Sequence, residues 1–182
     1  VVSKIVSATA LSFMFNAQFG IVNQFLRVLG ISPVNWLGTP SLALTIILAT
    51  GVWVMTPFFF IVLFAGLQSV PTAVIESAQI DGASSSKILF RITLPLLSPL
   101  ILLALIIQLL EALRVYDIVY LLTYGGPGRS TEVLSTEAYK QAFKFYEMGY
   151  GMAISIVAAV IGIAIGLGLL KQLKNRAVGT AT

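Results

Sequence analysis

Residues 42–67 read LALTIILATGVWVMTPFFFIVLFAGL, without one charged side chain. A helix needs roughly 20 mostly apolar residues to cross the hydrocarbon core of a bilayer, and this run is long enough. Pro40 and Ser41 precede it, and proline is tolerated in the first turn of a helix because its missing N–H would have no partner there. The run predicts a membrane-spanning helix that begins near Pro40 and is bent at Pro57.

Three more apolar runs lie outward from this one along the chain. The first, Leu96 to Tyr116, follows Pro95, and the second, Gly149 to Leu170, ends at a basic cluster of Lys171, Lys174 and Arg176. Both are long enough to span a bilayer. The third, Ile5 to Phe15, is too short, and the chain opens at Val1 without an initiating Met. We therefore expect an N-terminally truncated protein whose first helix or helices lie upstream.

The composition agrees with a membrane protein. Hydrophobic residues make up 58% of the 182 residues and charged residues 10%, whereas a soluble domain carries about 25% charged residues. The absence of Cys and His from the sequence excludes disulfides, thiolate or imidazole metal sites and His-based triads. The net charge of +4 comes from scattered basic residues, which does not favour a nucleic-acid partner. We predict an all-α, polytopic transmembrane bundle in which residues 1–182 form one domain.

Three polar connections separate the runs. Residues 16–41 are expected to form a surface loop with one interfacial turn of helix, with Trp36 at headgroup level. Residues 68–95 form the second connection. Residues 117–148 should hold a turn at 125–128 and an amphipathic helix from Thr131 to Tyr146. If 68–95 is cytoplasmic, the other two connections are extracytoplasmic; the basic residues are divided too evenly between the two sides to decide this.

One connection carries a spaced motif: Glu76-Ser77-Ala78-Gln79-Ile80-Asp81-Gly82, nine residues, then Ile92-Thr93-Leu94-Pro95. Gly82 suits a helix end, because glycine readily adopts a positive φ. Serines 84–86 are of the type that caps the start of a helix. The pattern predicts a helix, a break at Gly82, a short amphipathic helix along the membrane surface, and an abrupt return into the membrane at Pro95. Any one of these features alone is also typical of a plain connector.

The whole motif resembles the "EAA" loop of binding-protein-dependent ABC importer permeases, which reads Glu-Ala-Ala, three residues, Gly, nine residues, Ile-x-Leu-Pro. The one departure is Ser77 in place of the middle Ala, a small residue for a small residue. The resemblance implies the type I permease fold and a coupling helix pair that fits a cleft on a cytoplasmic ATPase. By it, Glu76 would contact the ATPase, Gly82 would permit the bend, and Leu94-Pro95 would anchor the loop to the following helix. Ser77, Ala78, Asp81 and Ile92 complete the predicted set.

Other segments are similar to the sugar-importing, maltose-type branch of that family, among them residues 35–37, 65–71, 91–96 and 121–131. The resemblance implies a second permease subunit, an extracytoplasmic solute-binding protein and a prokaryotic cell membrane. ATP would be bound by the ATPase partner, with no cofactor or metal in this chain and no catalytic residue. Two alternatives stay open: a permease for another solute, such as a glycerol-phosphate-like compound or a peptide, or a lipid-modifying enzyme that uses Glu111 and Asp117.

Polar residues recur every three positions toward the end of the 96–116 run: Gln108, Glu111, Arg114 and Asp117. This spacing places them on one slowly turning helix face, where Glu111 and Arg114 can pair. One interpretation is that Gln108 and Glu111 line a translocation path in which Tyr116 or Tyr120 offers a ring face to a sugar, since charges at bilayer depth usually face a cavity. The other is that Arg114 and Asp117 lie at the interface and Glu111 only pairs with Arg114.

Overall fold

The computed structural model describes residues 3–179, and every regular element in that range is helical. Side-chain burial is described for residues 3–169 and for Lys171, so the predicted cluster members Lys174 and Arg176 lie outside that part of the chain. The elements are α1 (Lys4–Met14), α2 (Ile21–Val28), α3 (Pro40–Gln68), α4 (Thr72–Ile80), α5 (Ser85–Ile88), the π-helical turn π1 (Leu89–Thr93), α6 (Leu94–Leu113), α7 (Asp117–Leu122), α8 (Leu134–Tyr139), the π-helical turn π2 (Lys140–Lys144) and α9 (Met148–Gly179).

The predicted spans are confirmed. Within the described residues, three helical runs are long and apolar enough to cross a membrane: Pro40–Gln68, Ser85–Leu113 and Met148–Leu169. Their bounds lie close to the predicted ones, except at the start of the second. The fourth apolar run forms α1, which is shorter than a span. The all-helical, polytopic class follows from these helices.

The prediction that the second span begins abruptly at Pro95, after a separate surface helix, is wrong. The helix is continuous from Ser85 to Leu113, and π1 lies directly before the proline. In π1 the N–H of Leu94 donates to the carbonyl of Leu89, five residues earlier. A proline inside an α-helix lacks an N–H and its ring crowds the carbonyl four residues before it. A wider turn at this point accommodates Pro95 without ending the helix.

The 117–148 connection also differs from its prediction. The sequence pattern missed α7, and the helix expected from Thr131 begins only at Leu134. Thr131 is hydrogen-bonded to the preceding turn instead. Its N–H donates to Gly125 O at 3.3 Å, and its hydroxyl donates to Gly126 O at 2.7 Å. The predicted turn at 125–128 is confirmed, with a positive φ at Gly125 and Gly128. In the 16–41 connection, α2 is longer than the single turn predicted.

The chain divides into two compact units. The first comprises the described residues up to Thr56 together with Ala112–Gly162. Its apolar centre is formed where α1 packs on α7, with Ala8 and Ile118 almost fully buried and Ile46 and Leu122 beside them. This unit holds both the 16–41 and the 117–148 connections.

The second unit comprises Pro57–Glu111 and the described residues from Ile163 onward. Small residues allow its helices to approach closely: a Cβ added to Gly66 would lie 2.4 Å from a methyl group of Leu100. A Cβ on Gly166 would make an ordinary contact with Leu110 at 3.6 Å. Glycine at such positions lets membrane helices pack at short range.

Candidate functional site: an elbow between two membrane helices

The motif residues lie in an elbow, here residues 72–93, that joins α3 to α6. It consists of α4, a four-residue turn, α5 and π1. The chain reaches it through Ser69, whose hydroxyl donates to Gly66 O at 2.7 Å, and through the buried Val70. Pro71 then caps α4 with an extended backbone. The elbow therefore follows α3 after only three residues and runs directly into α6.

The break between α4 and α5 is a complete C-terminal cap built on Gly82. Gly82 has φ +75°, its N–H donates to Gln79 O at 3.0 Å, and the next N–H, from Ala83, donates to Ala78 O at 3.0 Å. These are the two hydrogen bonds of a Schellman motif, which needs a left-handed residue between them. Gly82 therefore has the left-handed geometry that the predicted bend needs, and its role in coupling stays a prediction.

The turn is also fixed on its other side. Ser84 is the N-cap of α5, and its hydroxyl oxygen accepts a hydrogen bond from the N–H of Lys87 at 3.4 Å. Ala78 on one arm of the elbow and Ile88 and Thr93 on the other are buried. A groove of about 250 Å³ lies along the elbow, lined among others by Leu67, Ile75, Ile88 and Leu89.

The opposite side of the elbow is exposed and mixes charge with apolar surface. Glu76 and Asp81 are both exposed, as are Lys87 and Arg91. Ile80, between the two carboxylates, is 87% exposed, and Phe90 in π1 is 67% exposed. Ile80 and Phe90 thus add exposed apolar surface to the charged side chains of the elbow.

The remaining predicted elbow residues have distinct positions. The Ser77 hydroxyl donates to Ala73 O at 2.7 Å within α4, so the substitution for alanine leaves no polar group without a partner. Ile92 and Leu94 are half-buried and Pro95 is exposed. Ile88 and Thr93, two residues that the motif does not single out, are more buried than these three, and the anchoring role of Leu94 and Pro95 stays a prediction.

The predicted polar strip is not one helix face, because α6 ends at Leu113. Gln108 and Glu111 are half-buried on α6, whereas Arg114 lies in the break that follows and Asp117 starts α7. A carboxylate in the first turn of a helix is favourable there, since it faces the positive end of the helix dipole. The expected pairing of Glu111 with Arg114 stays a prediction.

Tyr116 and Tyr120 belong to a tyrosine cluster, defined here as Tyr116, Tyr120, Tyr124 and Tyr139. The rings of Tyr116 and Tyr120 stack at 4.9 Å between centroids, and Tyr139 lies 5.1 Å from Tyr116. Burial, together with the neighbouring Tyr120 and Tyr139, raises the pKa of Tyr116. Its phenol is therefore neutral at physiological pH and can donate a hydrogen bond. A largely apolar groove of about 410 Å³ runs past Tyr116 and Tyr139 to α9.

Beside the tyrosine cluster, ion pairs of Glu132 link Arg129, which follows the 125–128 turn, to Lys140 in π2. Its carboxylate accepts from Lys140 and Arg129, and Arg129 reaches Glu137 at 3.2 Å. Burial raises the pKa of Glu132, but the hydrogen bonds from Lys140 and Arg129 outweigh it and hold that pKa below its usual range. Lys140 and Lys144 also lie about 5 Å from the centre of the Tyr124 ring. Within residues 3–179 there is no group of acidic side chains that could hold a metal ion.

Three helices long and apolar enough to span a membrane, with a capped elbow between two of them, define a multi-pass membrane protein. The chain belongs to the family of binding-protein-dependent transport system inner membrane components, whose model matches residues 3–178. Membership of a transport family disfavours the alternative of a lipid-modifying enzyme.

Relatives that belong to sugar transport systems support the sugar-importing branch of this family. The chain is 44% identical to the trehalose/maltose transport system permease protein MalF of Thermococcus litoralis, over 93% of this chain and 57% of that protein. It is 34% identical to the sulfoquinovosyl glycerol transport system permease protein SmoG of Agrobacterium fabrum, over 91% of this chain and 54% of that protein. It thus spans somewhat more than half the length of these relatives.

A solved structure shares the fold. A chain of a bacterial ABC transporter that imports the acidic polysaccharide alginate superimposes with a TM-score of 0.87 at 28% identity, over 96% of this chain and 61% of that one. A second structure, of an alginate transporter in complex with a periplasmic protein that holds an alginate pentasaccharide, gives a TM-score of 0.83 at 29% identity. The predicted ABC importer permease fold is therefore confirmed.

Proposed function

We propose that this chain is the membrane-spanning permease subunit of an ATP-driven importer that receives a carbohydrate from a solute-binding protein. The observation that carries the proposal is the elbow: a short, internally capped connector whose exposed side presents Glu76, Ile80 and Asp81. Such a surface suits a cleft on a cytoplasmic ATPase subunit. The chain itself hydrolyses nothing; the ATPase partner would bind the ATP.

Transmission of force follows from the hydrogen bonds of the elbow. The Schellman cap on Gly82 and the Ser84 cap leave few free dihedral angles between α4 and α5. Because α5 continues into α6 without a break, a displacement of the elbow would tilt α6 directly. Closure of the ATPase domains would then open the path alternately to the two sides of the membrane.

A sugar is the favoured solute because the named relatives transport maltose, trehalose and a sulfoquinovosyl glycerol. Gln108 and Glu111 on α6 remain the proposed path residues, and the neutral phenol of Tyr116 is suited to bind sugar hydroxyls. Xylose/arabinose import is the stated role of another relative, in Haloferax volcanii. A permease for a glycerol-phosphate-like solute or a peptide is the alternative, which uptake assays with each compound would distinguish.

The proposed setting is the inner or plasma membrane of a prokaryote, with 68–95 cytoplasmic and 117–148 extracytoplasmic. Partners would be two ATPase domains, a second permease subunit and the solute-binding protein. The sequence contains no cysteine, so single-cysteine variants carry no background. Lys87→Cys and Arg27→Cys replace exposed basic residues in the two connections. In intact cells an impermeant thiol reagent should label only the residue-27 variant; labelling of the residue-87 variant from outside would overturn the proposal.

The coupling role is tested by changing Glu76, Asp81 and Gly82 together to alanine. We expect solute-stimulated ATP hydrolysis and uptake in reconstituted vesicles to be lost while membrane insertion is kept, since all three residues are exposed. Persistence of both activities would exclude coupling through the elbow. Glu111→Gln is the companion variant: it should change the KM for uptake without uncoupling hydrolysis from transport.

A further inference from the structure

The short helix α2, in the 16–41 connection, exposes an apolar face. Ile21, Phe25, Val28 and Leu29 recur at helical spacing on one side, and Phe25 and Val28 are 65% and 84% exposed. A helix with a wide apolar stripe normally buries it. This face is uncovered within the described part of the chain, so it requires an apolar medium or a partner.

The opposite face of α2 is pinned in place. Asn23 is 1% exposed, and its amide donates to Ala17 O at 3.0 Å and to Val34 O at 2.9 Å. Its oxygen accepts from Val34 N at 3.1 Å and from the indole N–H of Trp36 at 2.9 Å. A buried amide with these bonds is costly to move, because every partner would lose its hydrogen bond. The helix cannot rotate to hide its apolar face without breaking this network.

The apolar face is continuous with the surface of α1. Phe13 and Met14, at the end of α1, are exposed, and the Phe13 ring lies 6.2 Å from that of Phe19 just before α2. Twelve positions after α2 the chain begins the membrane-spanning α3 at Pro40. The face thus lies between the apolar helix α1 and a helix long enough to cross a bilayer.

The charge of this connection indicates which apolar medium covers the exposed face of α2. Arg27 is the only charged residue between positions 16 and 41 in the sequence. It lies about 200° around the helix from Phe25, at the standard 3.6 residues per turn. A helix with an apolar stripe and one cation, in a connection whose sequence has no carboxylate, is suited to lie flat in a layer of phospholipid headgroups.

We propose that α2 is a membrane anchor that lies in the interfacial layer, with Phe25 and Val28 at the acyl-chain boundary and Arg27 toward lipid phosphates. The site is a lipid-binding surface on the connection between α1 and α3. It does not depend on which side of the membrane the connection occupies.

The test measures the depth of single spin labels in the full-length chain, assembled with its partner subunits in nanodiscs of phosphatidylcholine and phosphatidylglycerol. Labels are placed by Phe25→Cys and Val28→Cys on the apolar face and by Arg27→Cys as the matched control on the same helix. The ratio of collision rates with oxygen to those with a water-soluble nickel chelate rises with membrane depth. We expect this ratio to be several-fold higher at positions 25 and 28 than at 27.

Two results would overturn the proposal. Equal nickel accessibility at all three positions would place the apolar face in water. Labels at 25 and 28 that are immobile and reached by neither reagent would show that protein covers the face, either another segment of this chain or a second subunit. A second variant tests the charge: Arg27→Gln combined with the label at position 25 should reduce the depth of that label in discs with phosphatidylglycerol more than in discs of phosphatidylcholine alone, and an equal depth with and without Arg27 would exclude the contact of Arg27 with lipid phosphates.

Discussion

Replacement of Gly82 by alanine should reduce solute-stimulated ATP hydrolysis in proportion to the strain that it places on the elbow. Gly82 has φ +75°, and a Cβ added there would meet nothing within 4 Å. The cost of the substitution is therefore the left-handed backbone of an L-residue alone, about 1–2 kcal/mol. A penalty of that size lowers the ratio of native to alternative turn conformations by about 5- to 30-fold.

The chain offers a closely matched control. Gly30, after α2, has φ +76° and open space around it, and it carries the same pair of hydrogen bonds: Gly30 N to Arg27 O at 3.0 Å and Ile31 N to Leu26 O at 2.9 Å. Gly30→Ala should therefore cost the same in stability. The two variants differ only in which connection is strained.

The assay compares thermal unfolding with solute-stimulated ATP hydrolysis in the reconstituted transporter. Both alanine variants should unfold at similarly lowered temperatures, and only Gly82→Ala should lose stimulated hydrolysis. Gly82→Asn should keep most of it, because asparagine tolerates the left-handed conformation. Equal losses of stimulated hydrolysis in Gly82→Ala and Gly30→Ala, or no loss in either, would refute the proposed role of the turn.

Three further outcomes test the packing of the first unit. Asn23→Leu should lower the free energy of unfolding by about 1–3 kcal/mol or more, because it leaves buried partners such as the Trp36 indole without a hydrogen bond; calorimetry in detergent would measure it. Gly151→Ala should lower the free energy of unfolding, since the new Cβ would lie 2.8 Å from Ala138 O. The Cβ of Gly149→Ala would meet nothing within 4 Å, so this substitution should raise the free energy of unfolding by about 0.5–1 kcal/mol. The pKa of Glu132 lies below its usual 4.5, so its ion pairs stabilise the folded state above pH 4.5 and are lost as the pH falls through the lowered pKa. Amide hydrogen exchange across residues 125–140 should become faster in that acidic range. Glu132→Gln should remove this pH dependence.

The sequence predicted best where one physical requirement dominates. A bilayer demands long apolar runs, so the positions of α3, α6 and α9 follow from composition within a few residues. Gly82 was predictable for a similar reason, since the Schellman cap needs a positive φ that glycine supplies.

The errors arose where local signals compete with hydrogen bonding elsewhere in the chain. Pro95 signals a helix start, but π1 changes the bonding pattern and the helix continues. Thr131 signals a helix start as well, but its hydroxyl and N–H are used by the Gly125–Gly126 turn. The polar strip failed because spacing by three residues assumes an unbroken helix, and α6 ends at Leu113. None of these bonds can be read from residue spacing.

The distribution of polar bonds in this chain has a consequence for how it moves. Thr50 and Thr56, inside α3, donate to carbonyls four residues earlier in the same helix, so these bonds tie no two helices together. The connections carry hydrogen bonds between their own segments, at Asn23, Thr131 and Glu132. Breaking such a bond is costly where it leaves a buried partner without one. A displacement of the elbow would therefore be expected to leave the internal structure of the 16–41 and 117–148 connections intact.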